Sequence, residues 1–199
     1  RSKNMPNIFC RFYAFRRLRY TKNGQLAIAG FSDPHKDALE EDLKLWLPSA
    51  ENPPSDLDLE TSRILLKQVG DHFCDLLVQE KDAHSEHMSD DKVIAWKRVV
   101  QGVREMCDVC ETTLFNFHWA CGKCGFVVCL DCYKGRKNGT VRVWGEPSQK
   151  DRDDFSWLLC TNRQPHEQEK LMLTQIIAGD SLLKLGKLVH EMRELWNIE

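Results

Sequence analysis

Residues 107–132, CDVCETTLFNFHWACGKCGFVVCLDC, pack three Cys-x-x-Cys knuckles into one short stretch. Four residues separate Cys124 from Cys129. That is too few for the chain to fold back and close two adjacent knuckles round one tetrahedral zinc, whose thiolate bonds are about 2.3 Å long. Neighbouring knuckles are therefore expected to serve different ions. Cys107 and Cys110 pair best with Cys129 and Cys132 across a loop of the length usual for two-knuckle sites. Cys121 and Cys124, inside that loop, then need two donors from elsewhere. Downstream, Cys160 and His166 are separated by five residues in CTNRQPH and complete a Cys3His set. His118, three residues before Cys121, is the alternative eighth ligand; its plainer reading is a ring packed beside Phe117 and Trp119. The expectation is two structural Zn2+ ions held in an interleaved cross-brace.

Three tandem knuckles in a chain of mixed charge point to zinc rather than redox chemistry. Nine cysteines is an odd number, and a chain of 199 residues does not need stapling, so a disulfide framework is not expected. No signal peptide opens the sequence, and a reducing compartment is the expectation. No apolar run approaches the ~18 residues of a membrane span. The hydrophobic content of 42% supports one compact unit or two small ones. A net charge of −2 exerts no global pull on nucleic acid, so such contact requires a local patch. Beginning at Arg1 and ending in a helix-like run, the chain reads as a piece of something longer.

Residues 8–31, IFCRFYAFRRLRYTKNGQLAIAGF, alternate apolar and basic residues and reach Asn23-Gly24, a hairpin signal. Phe9, Tyr13 and Phe15 are expected on one face, packed by Leu26, Ile28 and Phe31. Arg11, Arg16, Arg17 and Arg19 make this the candidate DNA or nucleosome surface, with Lys134, Arg136, Lys137 and Arg142 as further cations. The plainer reading is a solvated strand face protected by charge. Ser32-Asp33-Pro34 reads as a helix start leading to Leu47 and burying Ala38, Leu39, Leu43 and Trp46. A Pro-rich linker follows. Apolar spacing predicts a helix from Leu57 to about Gln79, with Phe73, Leu76 and Leu77 as core positions, and a loop carrying His84 and His87. Ser89 is expected to cap a helix over DKVIAWKRVVQGVREM with Val93, Trp96, Val99, Val100 and Val103 on one side. Beyond the knuckles, 133–154 reads as a mobile insertion. Phe155, Trp157 and Leu159 alternate as in a short strand, LMLTQIIAG (171–179) reads as another, and Asp180 or Ser181 caps a final helix burying Leu182, Leu185, Leu188, Val189, Met192 and Leu195.

Several of these stretches carry a resemblance. WACGKC with CLDCY is similar to a ZZ-type cross-brace finger. CDVCETTLFNFHWACGKCGF, FSWLLC, QPH and LMLTQII, with NIFCRFYAFRRL, LWLP, GDHFC, AWKR and GVREMCDVC upstream, resemble the zinc-finger region of the JmjC-domain demethylases that act on mono- and dimethylated lysine 9 of histone H3. The hairless-type corepressors are relatives. The resemblance implies an α+β fold in which an N-terminal β-hairpin and helices pack with a two-zinc, ZZ-like finger. It implies a nuclear location, and a parent enzyme whose separate jelly-roll domain uses Fe(II) and 2-oxoglutarate. No His-x-Asp/Glu pair with a distant His suits that facial triad here, so this segment is expected to be catalytically silent.

The expected organisation is a hairpin plus helix (1–47), a linker (48–56), a helical segment (57–106), the zinc module (107–178) and a terminal helix (179–199). The expected partner is a histone tail or another chromatin protein, or the catalytic domain of the same protein, with no membrane. ZZ-type fingers hold a peptide N-terminus in an acidic notch, which makes Asp108, Glu111 and Asp131 the candidate partner contacts. A RING-type ubiquitin ligase is disfavoured because the Cys-x-His-x-x-Cys centre is missing.

Overall fold

The computed structural model describes residues 10–88, 92–139, 152–153 and 157–198. It is a mixed α and β structure whose chain divides into two compact units, each discontinuous in sequence: 1–34 with 92–176, and 35–91 with 177–199.

The first unit opens with an antiparallel hairpin, β1 (Arg16–Tyr20) and β2 (Leu26–Phe31), with a bulge opposite Arg17 and Leu18. Asn23-Gly24 lies in its turn, between the paired Tyr20 and Leu26. Thr21 N–H donates to the Gln25 carbonyl at 2.8 Å and Gly24 N–H to the Thr21 carbonyl at 2.9 Å. Of the two turn residues only Gly24 has a positive φ, +75°, as in hairpins closed by a turn and a glycine bulge. Phe15 is buried against Phe31 at 4.8 Å between ring centroids. Leu26 and Ile28, expected to pack with them, are exposed instead. The alternation that reads as a half-buried ribbon is real, but nothing among the described residues covers that face closely. Phe9 lies outside the described residues, and Tyr13 precedes β1.

Four short strands make the second sheet of this unit: β3 (Ala95–Trp96), β4 (His118–Ala120), β5 (Val127–Cys129) and β6 (Met172–Gln175), in the order β3-β6-β4-β5. Only β3 and β6 run parallel. The residues around β3 were expected to be helical, and are extended. Trp96 N–H donates to the Ser32 carbonyl (2.8 Å), Lys97 N–H to Gln175 (3.0 Å) and Arg98 N–H to Ala14 (3.1 Å). The Trp96 indole N–H reaches the Ile176 carbonyl at 3.0 Å. Val93, Ile94, Val99, Val100 and Val103 are all β-branched, which weakens the helix and favours the pleat. Val93 and Val99 face solvent, and the segment turns at Gly102, φ +82°. Of the strand expected at 155–159, the described residues show an isolated bridge between Arg152 and Leu158, with Trp157 buried; Phe155 lies outside the described residues. Part of the supposed mobile insertion is ordered, because α3 (Leu130–Lys137) continues directly from β5. Most of the rest of it, including Arg142, lies outside the described residues.

In the second unit, the helix expected from Ser32 is only α1 (Glu40–Lys44). Asp42 starts it by accepting from Leu39 N–H at 2.8 Å. Leu39 is exposed, contrary to expectation, while Leu43 and Trp46 are half-buried. The next helix is longer than its apolar pattern suggests: α2 (Leu59–Met88) takes in His84 and His87, and His87 is buried within it. Its buried residues are Gly70, Leu77, Glu80, Ala83 and His87, and it packs on α4 (Ser181–Leu195) through Gly70 and Leu77. Two glycines permit that contact. A Cβ on Gly70 would lie 2.8 Å from the Arg193 guanidinium, and one on Gly186 would lie 2.7 Å from Leu77 Cδ1. The buried face of α4 is thus Ser181, Leu182, Gly186 and Arg193; Leu188, Met192 and Leu195 of the expected face are exposed. Arg193 tolerates burial because its guanidinium donates to Asp71 at 2.7 Å. Among the described residues, no helix is long and apolar enough to cross a membrane.

Asn116 carries much of the first unit's internal wiring. Its side-chain oxygen accepts from Ile176 N–H at 3.0 Å and its carbonyl accepts from His118 Nδ1 at 2.8 Å, both in buried surroundings. Asn116→Ala strands the buried Ile176 N–H. Urea unfolding of the zinc-loaded protein is expected to show a loss of about 1–3 kcal/mol.

Candidate metal centre

Cys107, Cys110, Cys129 and Cys132 bring their sulfurs to within 4.8 Å of one another, and so do the donor atoms of Cys121, Cys124, Cys160 and His166. Tetrahedral coordination at a Zn–S length of about 2.3 Å requires a sulfur–sulfur edge of ~3.8 Å. Cys110 and Cys129 are 3.8 Å apart, as are Cys121 and Cys160, and Cys124 Sγ lies 3.2 Å from His166 Nε2. The donor sets therefore fit a zinc ion each in number, chemistry and spacing.

The local chain explains how the knuckles form. Each of the first two turns tightly enough for the residue after the second cysteine to donate its N–H back to the first cysteine's carbonyl: Glu111 to Cys107 at 3.0 Å and Gly125 to Cys121 at 2.9 Å. That residue is left-handed in both, φ +61° for Glu111 and +79° for Gly125. Glycine meets this demand freely and glutamate does so under strain. The third knuckle is built differently. Cys129 ends β5 and caps α3, its sulfur accepting from Cys132 N–H at 3.4 Å. Cys160 and His166 come from a loop in which Asn162 and Arg163 are both left-handed, folding Cys160 N–H onto the Gln164 carbonyl at 2.7 Å.

Backbone N–H groups also point at the sulfurs. Cys107 Sγ accepts from Val109 and Cys129 at 3.4 and 3.3 Å, and Cys124 Sγ accepts from Phe126 at 3.4 Å. Such donors favour thiolate. Without a cation the thiols cannot all ionise. Hydrogen bonds from Cys129 and then Cys132 hold Cys107 far down, whereas the bond to Cys107 pushes Cys129 up to about 12 and raises Cys132 as well. In the second set, burial pushes Cys124 up to about 12. Cys121 is lowered although burial opposes it, through N–H bonds from Cys124 and Lys123 and the thiols of Cys124 and Cys160. One site accommodates several negative sulfurs only when a dication is among them.

The two histidines differ. His166 bonds Leu158's carbonyl through Nδ1 at 2.8 Å, which places the proton there and leaves the Nε2 lone pair facing Cys124. Phe126 stacks on its ring at 4.4 Å. His118 lies in β4, buried away from the second set. Burial pushes it down to about 4, so its imidazole is neutral at neutral pH.

Of the candidate partner contacts, Asp108 is already engaged. Arg11 donates to both its oxygens at 2.6 and 3.0 Å and to the Gly125 carbonyl at 3.0 Å, and Val127 N–H adds a bond of 2.9 Å. Glu111 and Asp131 are exposed. The basic residues likewise separate. Arg11 is occupied as described, and Arg16 lies 3.9 Å from the centre of the Phe12 ring. Arg17 and Arg19 are exposed on β1.

Spacing does not reveal Arg136. It lies on α3, four residues after Cys132, yet donates to Asp153 at 2.6 Å and to the His166 carbonyl at 3.2 Å, and sits 4.2 Å above the Trp157 ring. The helix anchored in the first donor set thereby holds a donor of the second. Arg136→Ala is expected to weaken zinc at the Cys121/Cys124/Cys160/His166 set by about 10–100-fold while sparing the other. Biphasic release of zinc to a chromophoric chelator reads this directly. Since Cys124 and Cys129 hold protons at neutral pH when metal-free, zinc uptake must expel them. Apparent affinity at each set is expected to fall about tenfold or more per pH unit of acidification, checked by chelator competition at pH 6.5 and 7.5.

No protein-family model matches the chain, and no solved structure matches it. Curated relatives do. Lysine-specific demethylase 3 of Drosophila melanogaster is 47% identical over 201 residues, covering 98% of this chain and 24% of that protein. Human lysine-specific demethylase 3A is 45% identical over 197 residues, covering 99% of this chain and 14% of that protein. The human probable JmjC domain-containing histone demethylation protein 2C is 49% identical over 193 residues, 96% of this chain and 7% of that protein. This chain thus spans a quarter or less of each, and by sequence it belongs to the JmjC-domain lysine demethylases, as the counterpart of one segment of them.

Proposed function

We propose that this segment is the structural, zinc-bearing and non-catalytic part of a nuclear histone H3 lysine-9 demethylase. In this reading it engages a histone tail or another chromatin protein and supports a separate JmjC domain that carries Fe(II) and 2-oxoglutarate. The observation behind it is the composition of the two donor sets in a chain related throughout to lysine demethylases. Each set offers four protein donors, seven of the eight being thiols, and so leaves no position for substrate or water. Neither has the two-histidine, one-carboxylate composition of a non-haem iron oxygenase. Bound zinc here supplies charge and cross-linking rather than Lewis-acid chemistry. Because the second set's first pair lies between the two pairs of the first in sequence, the two ions together act as a cross-brace, in the manner of a ZZ-type finger.

The partner surface is best sought around Glu111. A groove of about 370 Å³ runs beside the first donor set, lined by Glu105, Asp108, Glu111, Lys97, Arg104 and Arg152. Asp108 is neutralised by Arg11 and Glu105 by Lys97 at 3.0 Å, so the accessible acid there is Glu111, with Asp131 in the first turn of α3. Glu111 holds a left-handed conformation where the sister knuckle has glycine. Strain retained at an exposed charged residue accords with a binding role.

Metal analysis of the purified protein is expected to give two zinc ions per chain, with loss of cooperative unfolding when both are chelated. A single zinc would overturn the cross-brace. Calorimetric titration with an H3 tail peptide is expected to show binding that E111A/D131A abolishes without zinc loss. Absence of heat at high micromolar peptide would reject the histone-tail reading.

A further inference from the structure

The β1–β2 ribbon is fixed at its base and bare toward its turn. Ser32 N–H donates to the Phe15 carbonyl at 2.9 Å, and the carbonyls of Ala14 and Ser32 accept from Arg98 and Trp96. Beyond that anchor neither strand packs closely on another named helix or strand. A two-stranded ribbon by itself is marginal and gains from further cover.

Leu18 pairs with Ile28 and Tyr20 with Leu26, which puts these four side chains on one face, between 51% and 75% exposed. The bond from Thr21 N–H to the Gln25 carbonyl, next along the ladder, fixes which pairs carry hydrogen bonds. Bonded and non-bonded pairs alternate in an antiparallel ladder. Arg19–Ala27 is therefore a bonded pair, and the two apolar pairs are non-bonded ones. Side chains approach closest in non-bonded pairs, so the four form a continuous patch on the order of 400–500 Å², toward the upper end for a monomer. In such pairs the main-chain N–H and C=O groups point away from the neighbouring strand. Those of Leu26 and Ile28 thus line the outer edge of β2, and they meet no hydrogen-bonding partner among the described residues. Sheet edges are ordinarily guarded by charge, proline or a bulge. The β2 sequence LAIAGF has neither charge nor proline, and the bulge comes only beyond Ile28.

We propose that the outer edge of β2 takes an extended segment of another protein as an added strand, one in which apolar and acidic residues alternate. Main-chain bonds to Leu26 and Ile28 supply the attachment, as in other cases of strand addition. Every second side chain of the segment then lies beside Leu26 and Ile28 and extends the apolar patch. The side chains between fall on the opposite face, beside Ala27. That short residue lets Arg19, paired with it on β1, reach across to an acid on the added strand. Lys22 stands in the turn, at the end of the same edge. Neither Arg19 nor Lys22 has an ion pair among the described residues, and both are exposed, so charge complementarity selects an acidic segment. Pairing with a second copy of this chain would set the like charges of two hairpins together instead. The proposal goes beyond the zinc-module reading and uses a surface other than the groove beside Glu111.

The test is fluorescence anisotropy of two labelled octapeptides, one alternating valine with glutamate and one alternating valine with lysine, titrated with the zinc-loaded protein. The glutamate peptide should bind, and the lysine peptide about tenfold more weakly or worse. Methylating every second backbone amide of the glutamate peptide should weaken binding about tenfold in one of the two possible phases and spare it in the other, because only one set of amides faces β2. I28P removes an outward N–H and no ladder bond; it should weaken binding about as much, and so should L26S/I28S, with zinc content and circular dichroism unchanged. R19E/K22E should invert the preference between the two peptides. The amide-methylated peptides leave the protein untouched, so they decide the matter even where a β2 variant misfolds. No binding of the glutamate peptide at high micromolar protein overturns the proposal, as does equal binding of both peptides or binding indifferent to methylation in either phase. Sedimentation showing a dimer that I28P dissolves would assign the edge to a second copy and equally refute it.

Discussion

The structure depends on bringing thiols closer together than thiolates tolerate without a cation. Two groups of four donors, interleaved along the chain, sit at tetrahedral-edge distances from one another. In the metal-free state the result is a compromise in which some sulfurs are lowered and their neighbours are pushed up to hold protons. A dication at each site removes the compromise, so metal binding and folding of this region are one free-energy change rather than two. The need is evident from the sheet the knuckles decorate. Its four strands are two to four residues long, well short of the five or six typical of strands that stand in larger sheets.

Around those sites the polypeptide supplies what a metal alone does not. Amide groups address the sulfurs, the Leu158 carbonyl sets the tautomer of His166, and the Phe126 ring stacks on it with Trp157 behind Phe126. Arg136 links helix α3, anchored at Cys129, to the His166 backbone. The interleaving seen in sequence thus has a second layer in the side chains, joining the same two sites by hydrogen bonds. Four protein donors at each site leave no position at either ion for a substrate or water.

Sequence and structure part company where tertiary partners decide. The stretch around Trp96 has apolar residues at intervals that suit a helix, but its amide hydrogens go to carbonyls of Ser32, Gln175 and Ala14, remote in sequence. Periodicity records which side chains are apolar, not which backbone groups will be met. On α4 the error has another cause. The close approach of α2 runs through Gly70 and Gly186, with Arg193 laid across it, and no apolar stripe marks a contact made by glycines and a paired arginine. Asp108 shows the same limit at a candidate site: its sequence context suggests an open carboxylate, and only the fold brings Arg11 to it.

By itself, the sequence determined what is local or nearly so. The tight spacing of the knuckles forces neighbouring ones to serve different ions, and Asn23-Gly24 marks the hairpin. The motifs shared with lysine demethylases extend over nearly the whole length. Only the tertiary structure decided how donors from distant segments meet. It placed His166 with Cys121, Cys124 and Cys160 while burying His118 elsewhere, made an extended strand of the run after residue 91, and set Arg136 between the two sites. The physical reason is common to all three. Spacing limits which groups can share an ion, but a long loop can bring either histidine, or a remote carbonyl, within reach at similar entropic cost. The choice then rests with packing and hydrogen bonding that no single segment contains.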